Sequence, residues 1–156
     1  MAKIGGFDYR SGAQDRLEDA SILLRNGLFG GSVYLGGRAV EGMLRAVIWE
    51  SDYEYALGKK TLDTGHGLRD MLDLIRDLGV FGDSGIPNSM SEHVQMIARL
   101  WTNNMRFLST AKIEGMWYDL GEIDKKKRTM KRATQDFFDA CSVAIKRCEA
   151  IWKETN

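Results

Sequence analysis

A carboxylate between two arginines is the first group whose spacing could do chemistry. Glu41 has Arg38 three residues before it and Arg45 four residues after it. At these spacings the side chains meet on one face of a helix, so an ion pair within the helix is expected. A carboxylate half-buried in a helical core needs a partner, which His66 or Arg106 could also supply. Structural pairing of Glu41 is therefore favoured over a functional site.

Arg106 and the histidines are the next candidates. Arg106 lies at the predicted C-terminal end of a helix, where a cation is favoured by about 0.3–1 kcal/mol. Its planar guanidinium group could alternatively bind a phosphate. His66 lies at the start of another predicted helix, where capping of backbone donors is favoured over catalysis. His66 and His93 have no carboxylate or cysteine partner at ligand spacing, so neither a metal ion nor another cofactor is predicted.

The strongest charge cluster is the segment DKKKRTMKR. Its basic residues are Lys125, Lys126, Lys127, Arg128, Lys131 and Arg132. Basic runs on long helices are usually solvated faces, especially beside acidic residues. The alternative is a patch that contacts the phosphate backbone of a nucleic acid, with binding that weakens with salt. Trp117 and Tyr118, just before the run, could stack on bases, or they could be core or dimer anchors.

Helices must position these residues, because apolar residues recur at three- and four-residue steps along most of the chain. The predicted helices cover 14–26, 32–51, 66–78, 88–108 and a last stretch from about 120 to the C-terminus. Short loops make neighbouring helices antiparallel. The sequence therefore predicts an all-α fold, an antiparallel up-and-down bundle of four to five helices. It predicts a single domain over residues 1–156, with a core at about 14–152.

Several local signals set the predicted boundaries. The glycine-rich residues 1–12 predict a loose lead-in, Asn26-Gly27 the end of the first helix, Gly30 and Gly31 a turn, and 110–118 a connection. Asp119 and Glu122 have the spacing of a capping box that would start the last helix near Leu120. Gly36 and Gly37 weaken their helix by about 1 kcal/mol each, which predicts close approach of a neighbouring helix as compensation.

Composition limits the classes of function. The formal net charge is zero, so any attraction to a nucleic acid or a membrane must be local. There is no apolar run of about twenty residues and no signal-peptide pattern, which predicts a cytoplasmic protein without membrane contact. Cys141 and Cys148 lie seven residues apart on one predicted helix, roughly 10 Å, which is beyond disulfide reach. Both are predicted to be buried thiols in a reducing compartment.

The first two predicted helices resemble the opening hairpin of a known family. The segment AQDRLEDASILLRNGLFGGSVYLGGRAVEGMLRAVI is similar to the opening of HEPN domains, nucleotide-binding or ribonuclease bundles of prokaryotes and eukaryotes. The positions that carry the resemblance are Ala20, Leu24, Tyr34, Ala39, Glu41 and Leu44-Arg45-Ala46. His66 with Leu68 is similar to the H-x-L that often opens the family's third helix. Trp101 and Met105-Arg106-Phe107 are similar to its late W…RY segment, so the resemblance spans about residues 14–152.

The chain departs from the ribonucleases of this family at one motif. They carry Arg-x4-6-His, in which both residues act across a dimer cleft. After Arg106, the positions for that histidine hold Ala111, Lys112 and Ile113. Without the histidine there is no evident general acid–base group for RNA cleavage. Lys112 could hold a phosphate, but an amine that is protonated at neutral pH is a poor base.

The resemblance therefore implies a non-catalytic HEPN-like domain that forms a homodimer. It would bind RNA or a nucleotide through Arg106, Lys112 and the basic run, or bind a nucleotidyltransferase-type protein, in a toxin–antitoxin or defence-like system. One alternative is an active ribonuclease toxin in which Arg106 acts with Lys112 or His66. Another is a purely structural interaction module, with Trp117, Tyr118 and Trp152 at a protein interface.

Overall fold

The predicted all-α class is confirmed. A computed structural model describes residues 4–51 and 67–155, and the regular elements of these ranges are helices that pack on one another. They are α1 (Gly6–Arg25), α2 (Phe29–Ser51), α3 (Leu68–Asp77), α4 (Asn88–Leu100), α5 (Thr110–Asp119) and α6 (Met130–Thr155), with a 3₁₀-helix at Asn103–Phe107. Helix α2 contacts α1, α3, α5 and α6, so it lies at the centre of the fold. In the described ranges no helix is both long and apolar enough to cross a bilayer.

The end of α1 follows the predicted signal at Asn26 and Gly27. Gly27 has a φ of +73°, in the left-handed region that favours glycine. The amide of Leu28 donates to the carbonyl of Leu23 at 2.9 Å, and that of Gly27 to the carbonyl of Leu24 at 3.1 Å. This hydrogen-bond pattern is a Schellman motif, which satisfies the last carbonyls of α1 and turns the chain sharply into α2.

The prediction for the first twelve residues is wrong. Residues 1–12 are not all a loose lead-in, because α1 already begins at Gly6. Asp8 accepts a hydrogen bond from the Gly5 amide at 2.9 Å, and the ring of Tyr9 lies 6.2 Å from that of Trp49. These contacts hold the glycine-rich turn in a helix despite its poor propensity.

The predicted turn at Gly30 and Gly31 is also wrong, because both residues lie inside α2. The amide of Gly30 donates to the hydroxyl of Thr110 at 3.1 Å. A Cβ atom on Gly30 would lie only 2.6 Å from that hydroxyl oxygen. Gly30 therefore permits the start of α5 to approach α2 closely, which is a packing role and not a turn.

The boundaries after residue 100 differ most from the predictions. Helix α4 ends at Leu100 instead of Leu108, which places Arg106 in the 3₁₀-helix and not at the end of α4. The segment predicted as a connection is α5, whose first turn is capped by Ser109, since its hydroxyl accepts from the Lys112 amide at 3.1 Å. The last helix starts at Met130, not near Leu120.

Glycines in α2 admit bulky neighbours, as predicted for Gly36 and Gly37. A Cβ on Gly36 would lie 3.4 Å from the Cys141 sulfur, and one on Gly37 would lie 2.2 Å from the indole nitrogen of Trp101. The close approach is confirmed, although at Gly37 the neighbour is an indole that follows α4 rather than a helix. That indole nitrogen donates to the Tyr34 carbonyl at 3.1 Å, which locks Trp101 against α2.

Both cysteines are buried free thiols, as predicted. Burial raises the pKa of Cys148 to about 12 and the pKa of Cys141 further still. The folded chain therefore retains these protons at a pH where the unfolded chain releases them. The contribution of these thiols to the free energy of unfolding is therefore fully present below the ordinary thiol pKa of 9.0. It is lost as the pH rises from there toward about 12.

We expect neither thiol to be alkylated readily in the folded protein. Iodoacetamide at mildly alkaline pH should modify Cys141 and Cys148 at least about tenfold more slowly in buffer than in denaturing urea, because reaction requires unfolding. Mass spectrometry of timed samples measures the two rates. Equal rates would show that the thiols are accessible in the folded chain.

Candidate nucleic-acid interface

The predicted pairing of Glu41 is confirmed. Glu41 is buried at 8% exposure, and its carboxylate accepts from Nη1 of Arg38 and, at 3.2 Å, from Nη2 of Arg45. Arg38 Nη1 also lies 3.4 Å from the side-chain oxygen of Asn103, which ties α2 to the 3₁₀-helix. The charged side chains of Arg38, Glu41 and Arg45 form the ion-pair cluster of α2. His66 lies outside the described residues.

A cleft of about 480 Å³ adjoins this cluster. Its walls include Glu41, Arg69 at the start of α3, and Trp101 and Asn103 after α4. Each oxygen of the Glu41 carboxylate already accepts from a guanidinium group of α2, so both oxygens have a partner within the helix. The geometry supports the structural role of Glu41 that its spacing predicted.

A depression of about 430 Å³ lies between α5 and the chain that follows it. Lys112 at the start of α5 and Lys125 after its end line the same depression, together with Tyr118. The side chain of Tyr118 is 51% exposed, and Nζ of Lys125 lies 6.0 Å from its ring centroid. We call this the tyrosine depression. The structure thus brings together two predicted phosphate ligands and one predicted base-stacking residue.

Small and acidic residues complete the tyrosine depression. Ala111 and Gly115 lie on the same side of α5 as Tyr118, and a Cβ on Gly115 would meet nothing within 4 Å. The surface beside the tyrosine ring is therefore open. Glu114 and Asp119 also line the depression, and they lower the local positive potential that the lysines create.

The first three lysines of the basic run lie on a closed loop and not on a long helix. The backbones of Asp124 and Arg128 exchange two hydrogen bonds of 3.0 Å, which form an isolated antiparallel bridge. Lys125, Lys126 and Lys127 are all exposed between these two residues. The Asp124 carboxylate also accepts from the Lys126 amide at 2.8 Å. We call residues 124–128 the lysine loop, and its hydrogen bonds hold three ammonium groups at one place on the surface.

Arg128 anchors the lysine loop to the bundle. Its guanidinium lies 2.7 Å from Asp136 in α6 and 3.5 Å from Glu122, which in turn lies 2.6 Å from Arg99 in α4. Two carboxylates already balance the charge of this guanidinium, which weakens its attraction for a phosphate. Arg128 was predicted to bind nucleic acid with the lysines, but the structure gives it the contacts of a positioning residue.

The other predicted residues are dispersed. Arg106 is exposed, and its guanidinium lies 4.6 Å from the ring centroid of Phe107, but it does not line the tyrosine depression. Trp117 is fully buried, and its indole nitrogen donates to the Leu100 carbonyl at 2.9 Å. Of the alternatives weighed for Trp117, only the core role fits this position. The side chain of Trp152 lies outside the described residues.

Sequence reasoning missed the small residues that shape the tyrosine depression. Ala111, Gly115 and Tyr118 follow one another at four- and three-residue steps, which places them on one face of a helix. This signal is present in the sequence but is informative only when 110–119 is known to be helical. Within residues 4–51 and 67–155 there is no group of three or more side chains suited to a metal ion.

No protein-family model, curated protein or solved structure matches the chain. The arrangement of side chains in the described residues must therefore carry any functional conclusion. The HEPN resemblance, the homodimer and the nucleotidyltransferase-type partner stay predictions.

Proposed function

We propose that this chain is a non-catalytic, HEPN-like domain that binds RNA through the tyrosine depression and the lysine loop. One observation carries the proposal: Lys112 and Lys125 line a single depression with an exposed Tyr118. Lysine ammonium groups contact phosphates, and a tyrosine face accepts a stacked base. A surface that offers both fits a nucleic-acid strand better than it fits a lone anion.

The charge distribution supports the same proposal. The whole chain has a formal net charge of zero, so long-range attraction to RNA must come from a local concentration of cations. The lysine loop supplies Lys126 and Lys127 beside Lys125, all exposed. The carboxylates of Glu114 and Asp119 partly counter this field, which implies modest affinity. The phosphate contacts of the lysines imply an affinity that falls as the salt concentration rises.

We propose a non-catalytic role because the residues that follow Arg106 lack the histidine of the family's ribonucleases. Neither Ala111 nor Lys112 can replace the general base that an RNA-cleaving site requires. In line with the resemblance, we place the domain in a toxin–antitoxin or defence-like system, with a homodimer or a nucleotidyltransferase-type protein as its assembly. The ring of Phe107, which is 75% exposed, is an apolar group suited to such a protein contact.

Charge reversal of the lysine loop should weaken RNA binding at least about tenfold, because it removes three phosphate partners and adds three repulsive charges. The variant is K125E/K126E/K127E, and the measurement is fluorescence anisotropy of a labelled single-stranded RNA. For the parent chain, log Kd should rise linearly with log salt between about 50 mM and 200 mM, and the variant should show a smaller slope.

The matched control is K146E, a reversal at an exposed lysine of α6 that lines neither the tyrosine depression nor the lysine loop. Lys146 lies in the helix that begins at Met130, roughly 24 Å along its axis from that residue at about 1.5 Å per residue. At that separation its charge is screened, so K146E should leave the affinity within about twofold. Equal affinity of the loop variant and the parent chain would refute RNA binding at this surface. RNA cleavage by the purified parent chain, lost in R106A, would favour the ribonuclease alternative instead.

A further inference from the structure

A second depression lies past the other end of the lysine loop. Its volume is about 560 Å³, and it is lined by Leu24, Arg25, Thr129, Lys131, Arg132 and Gln135. Arg25 comes from the last turn of α1, whereas Lys131 and Arg132 come from the first turn of α6. Three cations from two helices thus converge here. We call this the arginine depression.

The electrostatics of the arginine depression differ from those of the tyrosine depression. Of the described residues that line it, none is acidic, whereas Glu114 and Asp119 line the first depression. Arg25 and Lys131 are exposed, and within the described residues their side chains have no ion pair. Arg132 lies 3.8 Å from Asp136, a carboxylate already held at 2.7 Å by Arg128. The lining therefore favours an anion.

The lysine loop connects the two depressions. Lys125, near its start, lines the tyrosine depression, and Thr129, directly after its end, lines the arginine depression. Exposed Lys126 and Lys127 lie on the chain between them. The Asp124–Arg128 bridge brings the two ends of the lysine loop together, so Lys125 and Thr129, and with them the two depressions, lie close to each other.

We propose that the ligand is an extended single strand of RNA that runs from the tyrosine depression, across the lysine loop, into the arginine depression. This inference rests on the proposed function and adds the strandedness of the RNA and a second contact site, Arg25 with Lys131. A base stacks on Tyr118 only if it is unpaired and splayed from its neighbours, which excludes a regular duplex. The open face at Gly115 leaves room for that base.

The test compares three RNAs by anisotropy: single strands of about four and about sixteen nucleotides, which bracket common single-strand site sizes, and a duplex. The variant R25E/K131E should weaken the long strand by roughly tenfold and leave the short strand, which fills only the tyrosine depression, unchanged. Y118A should weaken both single strands by about 5- to 150-fold, the range of one stacked base, and Y118F should retain binding.

The outcomes separate this inference from the proposed function. If K125E/K126E/K127E weakens binding but R25E/K131E does not affect the long strand, the lysine loop binds RNA and the extended path is wrong. If R25E/K131E and Y118A affect the duplex as much as the single strands, the single-strand assignment is wrong. If loop reversal has no effect on any RNA, the proposed function fails as well. Circular dichroism checks that each variant is folded.

Discussion

The substitution Glu41→Leu should lower the free energy of unfolding by about 3 kcal/mol, because it removes the carboxylate that pairs with a largely buried guanidinium. The side chain of Arg45 is 15% exposed and that of Glu41 is 10% exposed. Arg38, at 41% exposure, can turn toward water when its partner is lost. Most of the expected loss therefore comes from Arg45, which is the less exposed of the two arginines and loses its contact with the Glu41 carboxylate.

A double substitution tests that cause directly. In Glu41→Leu/Arg45→Leu apolar side chains of similar volume replace both members of the pair. At least half of the loss of about 3 kcal/mol should be recovered, since replacement of a whole buried pair is often neutral or stabilising. Urea unfolding followed by circular dichroism gives the free energy of each variant relative to the parent chain.

An exposed pair supplies the control. Arg76 and Asp73 lie 2.7 Å apart on α3, at the same three-residue spacing as Arg38 and Glu41, but their side chains are 49% and 64% exposed. Asp73→Ala should cost less than about 1 kcal/mol, the usual value for a surface pair. A Glu41→Leu variant as stable as Asp73→Ala would contradict the structural role of Glu41 and favour a ligand-binding role in the adjoining cleft.

Local signals in the sequence were sufficient for two features of the first two helices. The spacing of Arg38, Glu41 and Arg45 predicted contacts that the structure contains, because neighbours three and four residues apart meet on any helix. The glycine at position 27 marked the end of α1 for a similarly local reason, since a left-handed residue is needed there. Neither prediction required knowledge of a distant part of the chain.

The segment 119–122 contains two competing signals, and the capping-box interpretation is wrong. Asp119 and Glu122 have capping-box spacing, but Gly121 has a φ of +77° and ends α5. The Glu122 amide donates to the Trp117 carbonyl at 2.9 Å, as in a second Schellman motif. The Glu122 side chain is held by Arg99, which is 23 residues away in sequence. No local pattern reveals that partner, so the spacing alone is misleading.

The wrong capping-box interpretation at 119–122 also prevented prediction of the candidate site. With a helix predicted from about Leu120, the lysines fell on a solvated helical face instead of a closed loop. Lys112 and Lys125 line one depression only because α5 is a helix and the chain turns back after Gly121. Their proximity is a product of tertiary structure. Residue types could be predicted from the sequence, but the surface they share could not.

Substitution of Gly37 by alanine should destabilise the fold by about 3 kcal/mol, at the upper end of the usual cost of overpacking. A Cβ at this position would lie 2.2 Å from Nε1 of Trp101 and 2.3 Å from two further indole atoms. The indole cannot retreat easily, because Trp101 is only 7% exposed and donates to the Tyr34 carbonyl. Moving it would break that hydrogen bond and open the contact between α2 and the end of α4.

The same substitution at Gly115 should change the free energy of unfolding in the opposite direction. Gly115 lies within α5 and is exposed, and a Cβ atom added to it would have no neighbour within 4 Å. Gly115→Ala should therefore stabilise the chain by about 0.5–1 kcal/mol through helix propensity alone. Both alanines gain this propensity, so the difference between their unfolding free energies, measured in urea, isolates the indole contact. If Gly37→Ala matched Gly115→Ala, then Trp101 would not be packed against α2 in solution.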